Sequence, residues 1–132
     1  MARVIHESGK RKSAIARATI KQGTGKIRIN NILLDVYGTR LTRLRLTEPF
    51  ILAGDIAKTV DVSVRVSGGG YNAQAEAARL AIGRALAKHS KKLEKVFLNY
   101  DRHLLVADVR RKEISKPNCR GQARAKRQKS YR

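Results

Sequence analysis

The side chains of this sequence with the most evident chemistry are its lysines and arginines. A basic cluster occupies residues 9–13, Gly-Lys-Arg-Lys-Ser, and continues at Arg17, Lys21, Lys26 and Arg28. Such cations contact the phosphate oxygens of nucleic acids, and a glycine lets the backbone turn close to them. We predict that this segment forms a phosphate-contacting hairpin. The alternative is a charged face that contacts only solvent.

A second basic segment, residues 110–132, ends the chain. Its apolar content is too small to offset the entropy of ordering it, so we predict a tail that is mobile alone and ordered on a partner. Fully extended at ~3.3 Å per residue, it would reach about 75 Å. Tyr131 has no core to join there, so a stacking or hydrogen-bonding role and an idle terminal aromatic are both open.

The sequence gives little support for a metal site or a catalytic site. His6, His89 and His103 are scattered and Cys119 is the only cysteine, so no zinc-ligand spacing and no internal disulfide is expected. Hydrolase motifs and a close acid pair are missing as well. We predict no metal, no cofactor and no catalytic activity. Aromatic residues are too sparse to form a ladder for stacking single-stranded bases.

Three consecutive glycines, Gly68, Gly69 and Gly70, lie between a predicted strand and a predicted helix. The amides at a helix N-terminus bind anions, which would make an RNA phosphate one candidate ligand. No nucleotide-binding glycine motif is present, however. We favour a structural turn, a tight connection that needs positive φ angles.

Composition limits the partner. The 132 residues include 30 Lys and Arg against 10 Asp and Glu, a net charge of +20, and 42% are hydrophobic. This is enough apolar content for one globular domain. Because its excess positive charges repel one another, we expect the domain to bind a polyanion. Nucleic acid is the leading candidate for this partner, and an anionic membrane surface is the second. No apolar run spans a bilayer or resembles a signal peptide, so we expect a cytoplasmic protein.

The strands are predicted from alternation and the helices from composition. Residues 13–20 and 26–30 alternate around Gly23 and Gly25 and predict a β-hairpin, with residues 3–7 as a further edge strand. Val60 to Val66 is the clearest strand. Helices are predicted from Ala73 to about Ser90 and over 92–100, followed by a short buried strand at 104–107. Small and aliphatic residues form the buried face of the first helix: Ala75, Ala78, Ala81, Ile82, Ala85 and Leu86.

The segment before the valine strand is ambiguous. Residues 40–46 fit a strand or a short helix. Thr47 and Pro49 look like the N-cap and first turn of a helix that Gly54 would end. Phe50 and Phe97 are predicted to lie in the core. We divide the chain into a globular body, residues 1–109, and the extended basic tail, residues 110–132.

Several motifs, taken in order along the chain, resemble the ribosomal protein S nine family of the small subunit. They are Gly-Lys-Arg-Lys-Ser-Ala-Ile-Ala-Arg-Ala at 9–18, Gly-x-Gly-x-Ile-x-Ile-Asn at 23–30, Val-x-Val-x-Val-x-Gly-Gly-Gly at 62–70, the Gln-Ala-x-Ala-x-Arg helix at 74–86 and Gln-Lys-Ser-Tyr-Arg at 128–132. The C-terminal Lys-Ser-Tyr-Arg and the segment 101–108 resemble the archaeal and eukaryotic branch, and the short N-terminus favours archaea. Residues 117–120 depart from the Gly- and Arg-rich tail usual in the family.

The resemblance implies an α+β fold, a two-layer α/β sandwich like the second domain of ribosomal protein S five, with the extended basic C-terminal tail. It also implies a place in the head of the small subunit, bound to the 3′ major domain of its rRNA and beside other head proteins, without homo-oligomers or membranes. The tail would approach the anticodon stem-loop of the peptidyl-site tRNA through Lys129, Ser130, Tyr131 and Arg132.

Contacts with rRNA are then expected for cations of the body and of the tail. These are Lys10, Arg11, Lys12, Arg17, Lys26, Arg28, Arg40, Arg43, Arg110, Arg111, Lys112, Lys116, Arg120, Arg124, Lys126 and Arg127. Composition alone leaves two other functions open, an architectural DNA-binding protein of chromatin type and an RNA-processing enzyme.

Overall fold

The computed structural model describes residues 4–117 and 123, which contain a sheet and a layer of helices. Two short 3₁₀ turns, Leu34–Val36 and Arg102–Leu104, join or follow the larger elements. Within the described range, none of the helices has the length and apolar character needed to cross a bilayer. In chain order the elements are β1 (Ile5–Arg11), β2 (Ala14–Gln22), β3 (Ile27–Ile29), β4 (Ile32–Leu33), α1 (Arg40–Ala53), α2 (Asp55–Lys58), β5 (Val60–Ser67), α3 (Tyr71–His89) and α4 (Lys92–Tyr100).

The five strands form one sheet in the order β1-β2-β5-β3-β4. β5 is antiparallel to β2 and parallel to β3. Alternate residues of β2 and β5 are buried, and α3 packs on that face of the sheet. The predicted α+β class is confirmed, and so are the strands expected at 13–20 and 60–66. The edge strand expected at 3–7 is confirmed in part, since β1 starts at Ile5 and continues to Arg11.

The hairpin predicted between residues 13–20 and 26–30 is wrong, because β5 lies between those two strands. The loop after β2 crosses the end of β5 instead of turning back. The Asp61 carboxylate accepts hydrogen bonds from the amides of Thr24 and Lys26 at 2.8 and 2.9 Å. The amide of Gly23 donates to the carbonyl of Thr59 at 3.0 Å. These bonds direct the chain to the far side of β5.

The tight turns of the sheet lie elsewhere. Lys12, with φ 52°, and Ser13 connect β1 to β2. Asn30 and Asn31, with φ angles of 48° and 70°, connect β3 to β4, which is the two-residue geometry with two positive φ angles that suits right-handed strand twist. The Asn30 side chain also exchanges hydrogen bonds with the backbone of Val66 at 2.8 and 3.1 Å. The turn is thereby fixed to the central strand.

Residues 40–53 form one helix, so the predicted helix start at Thr47 is wrong. The N-cap is Thr39, whose Oγ1 accepts from the amide of Thr42 at 3.4 Å. Thr47 lies inside the helix and donates from Oγ1 to the carbonyl of Arg43 at 2.7 Å. Packing keeps the helix continuous through the proline, since its buried residues share one face: Thr42, Leu46, Pro49, Phe50 and Ala53. The helix ends at Gly54, with φ 56°, as predicted.

The two later helices agree with the prediction, α4 with the same bounds and α3 starting two residues earlier. The expected small-residue face of α3 is buried, as are Phe50 and Phe97. The strand predicted at 104–107 is wrong. Leu104 is fully buried at the end of a 3₁₀ turn, where its carbonyl oxygen would lie 2.5 Å from a Cβ at Gly83. It packs against α3 and pairs with no strand.

The glycine run forms the tight connection that was predicted. Gly68 and Gly69 have φ angles of 73° and 66°, whereas Gly70, the N-cap of α3, has φ −93°. A Cβ at Gly69 would lie 2.9 Å from the backbone nitrogen of Ala14. The first two glycines are therefore required by φ and by the closeness of β2.

Gly9 has a different role from the predicted one. It lies within β1, away from the turn, where a Cβ would be 2.2 Å from the carbonyl oxygen of Ala77 and 2.8 Å from the amide nitrogen of Ala81. The backbone of α3 therefore rests directly on β1. Only a residue without a side chain fits between them.

We predict that Gly9→Ala lowers the free energy of unfolding by about 1–3 kcal/mol, because the added methyl overpacks this contact. Urea denaturation followed by circular dichroism measures the change. Ser8→Ala, at the neighbouring exposed position, should stay within about 0.5 kcal/mol of the wild type. Equal stability of the two variants would contradict the close approach of α3.

Candidate nucleic-acid interface

The face of the sheet turned away from the helices carries most of the basic side chains of the strands. The register places Ser8 beside Arg17 and Arg17 beside Arg65, and it places Arg28 beside Ser63. All of these side chains are exposed, because the alternate positions of each strand face the core. We call this surface the open basic face and define it by Lys10, Arg17, Lys21, Arg28 and Arg65.

Arg17 and Arg65 are direct neighbours on antiparallel strands. Like charges in this position destabilise a sheet. They border a shallow depression of about 920 Å³ that is also lined by His6, Thr19 and Ser63. Glu7 lies at its edge, where its carboxylate is paired with Lys88 at 2.8 Å. A pair of repelling guanidinium groups beside hydroxyl groups is an arrangement that a phosphate chain would stabilise.

Asp61 is the one acid that the strand pattern places on this face within the described residues, and it is already engaged. Hydrogen bonds from the amides of Lys26 and Thr24 hold the pKa of its carboxyl group below the usual value. The carboxylate therefore stays charged and orders the loop before β3. It leaves Arg17, Arg28 and Arg65 without a carboxylate partner among the described residues.

The predicted rRNA-binding residues of the body lie in three places. Lys10, Arg17 and Arg28 are on the open basic face, with Lys12 and Lys26 in loops at its ends. Arg40 and Arg43 belong instead to α1, in the helical layer. Arg43 donates to the carbonyl of Asp35 at 2.7 Å.

Arg11 and Arg65 differ from the other basic residues of the strands in how they relate to the prediction. Arg11 was predicted to bind rRNA, but its side chain is only 18% exposed and is paired with two acids. Arg65 was not predicted. The alternation of Val60 to Val66 does place it on the outer face, but only the strand order puts it beside Arg17.

Arginines and acids of the helical side form a half-buried group, here called the ion-pair cluster. Arg11 contacts Glu76 at 2.6 Å and is also paired with Asp108. Arg79 contacts Glu48 at 2.5 Å and Asp101 at 2.8 Å. The cluster is therefore Arg11, Arg79, Glu48, Glu76, Asp101 and Asp108. It joins β1, α1 and α3 to the segment after α4.

The ion-pair cluster holds residues 101–110, here called the root segment, from which the predicted tail departs. Arg84 adds two bonds, donating from Nε to the carbonyl of Leu105 and from Nη1 to the carbonyl of Ser8, both at 2.9 Å. Asp108 is shared by Arg11 and Arg110. Removing one partner from such a half-buried group leaves an unpaired charge, so the root segment is fixed to the body.

The charges of the root segment persist over a wide pH range. Hydrogen bonds from Arg110, together with the charge of Arg11, hold the pKa of the Asp108 carboxyl well below its usual range. A carboxyl group with a lowered pKa stabilises the fold above its unfolded pKa of about 3.9. That contribution is lost as the pH falls through the lower, folded value. The anchoring is therefore complete at neutral pH.

The start of the tail is exposed. Arg111, Lys112 and Lys116 are exposed, whereas Arg110 is partly neutralised by Asp108. The remaining predicted contacts lie outside the described residues, as does Cys119. They are Arg120, Arg124, Lys126, Arg127 and residues 129–132.

Within the described range, no group of three or more His, Cys, Asp or Glu side chains has an arrangement suited to a metal ion.

Comparison with known proteins finds relatives along almost the whole chain. The family described as ribosomal protein S9/S16 matches residues 9–132. The small ribosomal subunit protein uS9 of Methanococcus vannielii is 49% identical, over 98% of this chain and 99% of that protein. The protein of the same name from Pyrobaculum aerophilum is 46% identical, over 98% of this chain and 92% of its own length.

We predict that Asp108→Asn loosens the root segment, because Arg11 and Arg110 lose the charge that they share. Trypsin should then cleave after Arg110 and Arg111 several-fold faster at neutral pH, as measured by mass spectrometry of the fragments. Asp55→Asn, which removes only an exposed pair with Lys58, should leave the rate unchanged. An unchanged rate in both variants would show that the cluster does not hold this segment.

Proposed function

This chain belongs to the ribosomal protein S9/S16 family, and from that membership we propose that it is a structural constituent of the small ribosomal subunit that binds rRNA. The predicted family is confirmed, and so is the prediction that the chain is not an enzyme, since the relatives are ribosomal proteins. The two relatives named above are archaeal, in agreement with the predicted archaeal and eukaryotic branch. The expected cytoplasmic location is that of the ribosome.

The open basic face is the surface that we assign to rRNA. The observation that carries this assignment is the direct pairing of Arg17 with Arg65 on a face whose acid, Asp61, is occupied by amides. Its cations are spread over four strands, a spacing suited to the phosphates of a folded RNA. Contacts of this type fix position and orientation without reading sequence. The ribosomal relatives favour RNA over DNA as the polyanion.

The location within the subunit follows from the same membership. We place the protein in the head, on the 3′ major domain of the rRNA and next to other head proteins. The two-layer arrangement, with helices on one face of the sheet, supports the likeness to the second domain of ribosomal protein S five. In this placement the open basic face contacts rRNA.

We further propose that residues 110–132 run through rRNA to the anticodon stem-loop of the peptidyl-site tRNA, where Lys129, Ser130, Tyr131 and Arg132 contact it. Guanidinium groups bind phosphate with two parallel hydrogen bonds, which suits a contact common to every tRNA. The fixed root segment, which ends at Arg110, supports a division of the chain close to residue 109. A tail that starts from a rigid point reaches a distant site with a smaller loss of entropy.

We predict that Arg65→Ala weakens binding to small-subunit rRNA and lowers the salt dependence of the affinity by about one phosphate contact. Filter binding at a series of salt concentrations measures both. Lys95→Ala, an exposed cation on α4, serves as the matched control and should change neither value. Equal losses in the two variants would mean that net charge, and not the open face, determines binding.

We predict that deletion of residues 129–132 weakens tRNA binding at the peptidyl site and leaves incorporation into small subunits intact. The reason is that the open basic face, which is retained, supplies the assembly contacts. Purified subunits carrying the truncated chain are assayed for occupancy by sedimentation and for tRNA affinity. Failed assembly with unchanged tRNA affinity would contradict this division of roles.

A further inference from the structure

An exposed apolar surface lies on the helical layer, where the proposed rRNA contacts offer no explanation for it. Leu41, Leu44 and Ile51 project from α1 and are 57%, 58% and 71% exposed. Tyr100, at the end of α4, is 57% exposed and lines a shallow groove of about 360 Å³ together with Leu44, Ile51 and Leu52. We call this surface the α1–α4 groove. Contiguous apolar surface of this kind marks sites of protein interaction.

We propose that the α1–α4 groove binds an amphipathic, acidic segment of another protein of the small subunit. This inference rests on the proposed function for the location of the partner, but the choice of partner chemistry comes from the groove. Leucine and isoleucine side chains gain little from contact with phosphates. They are stabilised by apolar side chains that remove them from water.

The charges around the groove select the partner. Arg40 is one helical turn from Leu44 and Arg45 is one turn from Leu41, so both cations border the apolar residues. Arg45 also lines the groove directly. These two cations complement a segment in which carboxylates flank apolar residues.

Glu48, the acid that lines the groove, does not neutralise these cations. Glu48 contacts Arg79 at 2.5 Å and, by accepting a hydrogen bond, raises the pKa of the Tyr100 hydroxyl. Arg45 has only a loose contact with Glu76, at 3.6 Å. A second copy of this chain does not fit as the occupant, because each copy carries a net charge of +20.

Photo-crosslinking in intact small subunits tests the inference. The crosslinking amino acid p-benzoylphenylalanine replaces Ile51 in one variant and Thr19, on the open basic face, in the other. From Ile51 we expect one crosslink, to a small-subunit protein, within a peptide that contains both apolar and acidic residues. From Thr19 we expect crosslinks to rRNA.

A crosslink from Ile51 to rRNA, to a second copy or to no molecule would overturn the inference while leaving the proposed function intact. Absence of the labelled chain from small subunits would overturn both. Charge is tested by adding Arg45→Gln to the Ile51 variant, which should reduce the crosslink yield per incorporated chain several-fold, since Arg45 lines the groove. An unchanged yield, or a crosslinked peptide without acidic residues, would contradict the acidic partner.

Discussion

The placement of the carboxylates determines which cations of this highly charged chain are paired within the protein and which are left exposed. Four of its ten acids, Glu48, Glu76, Asp101 and Asp108, belong to the ion-pair cluster. There they neutralise half-buried arginines and attach the root segment to the body. Because these acids are used inside the protein, the cations of the open basic face stay unneutralised. A protein with a net charge of +20 thus concentrates its internal attraction on one side and its self-repulsion on the other.

The close packing of α3 makes the ion-pair cluster possible. Gly9 and Gly83 allow the helix to rest on the backbone of β1 on one side and on Leu104 on the other. Arg84 can then reach the carbonyls of Ser8 and Leu105 at once. A larger side chain at either glycine would separate the elements that these arginines connect. Gly9 and Gly83 thereby bring α3 close enough to its neighbours for the arginines of the helix to reach their partners.

Local patterns predicted most of the elements, whereas contacts between distant residues decided the errors. The alternation of Val60 to Val66 and the composition of α3 determine those elements almost alone. The hairpin prediction failed because it joined two strands that are neighbours in the sequence, whereas the strand that lies between them in the sheet starts only at Val60. Thr47 and Pro49 looked like a helix start because the buried face that keeps α1 continuous depends on tertiary packing.

The candidate site shows the same division. The exposed cations of β2 and β3 could be predicted one by one, because each strand alternates. Arg11 could not be recognised as structural, since its partner Asp108 is 97 positions away. Arg65 could be recognised as part of the basic face only once the strand order had placed it beside Arg17. The resemblance in the sequence supplied the family, and the strand order supplied the surface.

The repulsion between Arg17 and Arg65 links the lifetime of the protein to the supply of its ligand. A polyanion that binds the folded chain stabilises it in proportion to its concentration and affinity. Under the proposed function, a newly synthesised copy that has not bound RNA is in its least stable state, and cellular proteases act preferentially on such copies. Unassembled molecules would be removed soonest when RNA is scarce, so the stock of this protein would follow ribosome production without a dedicated regulator.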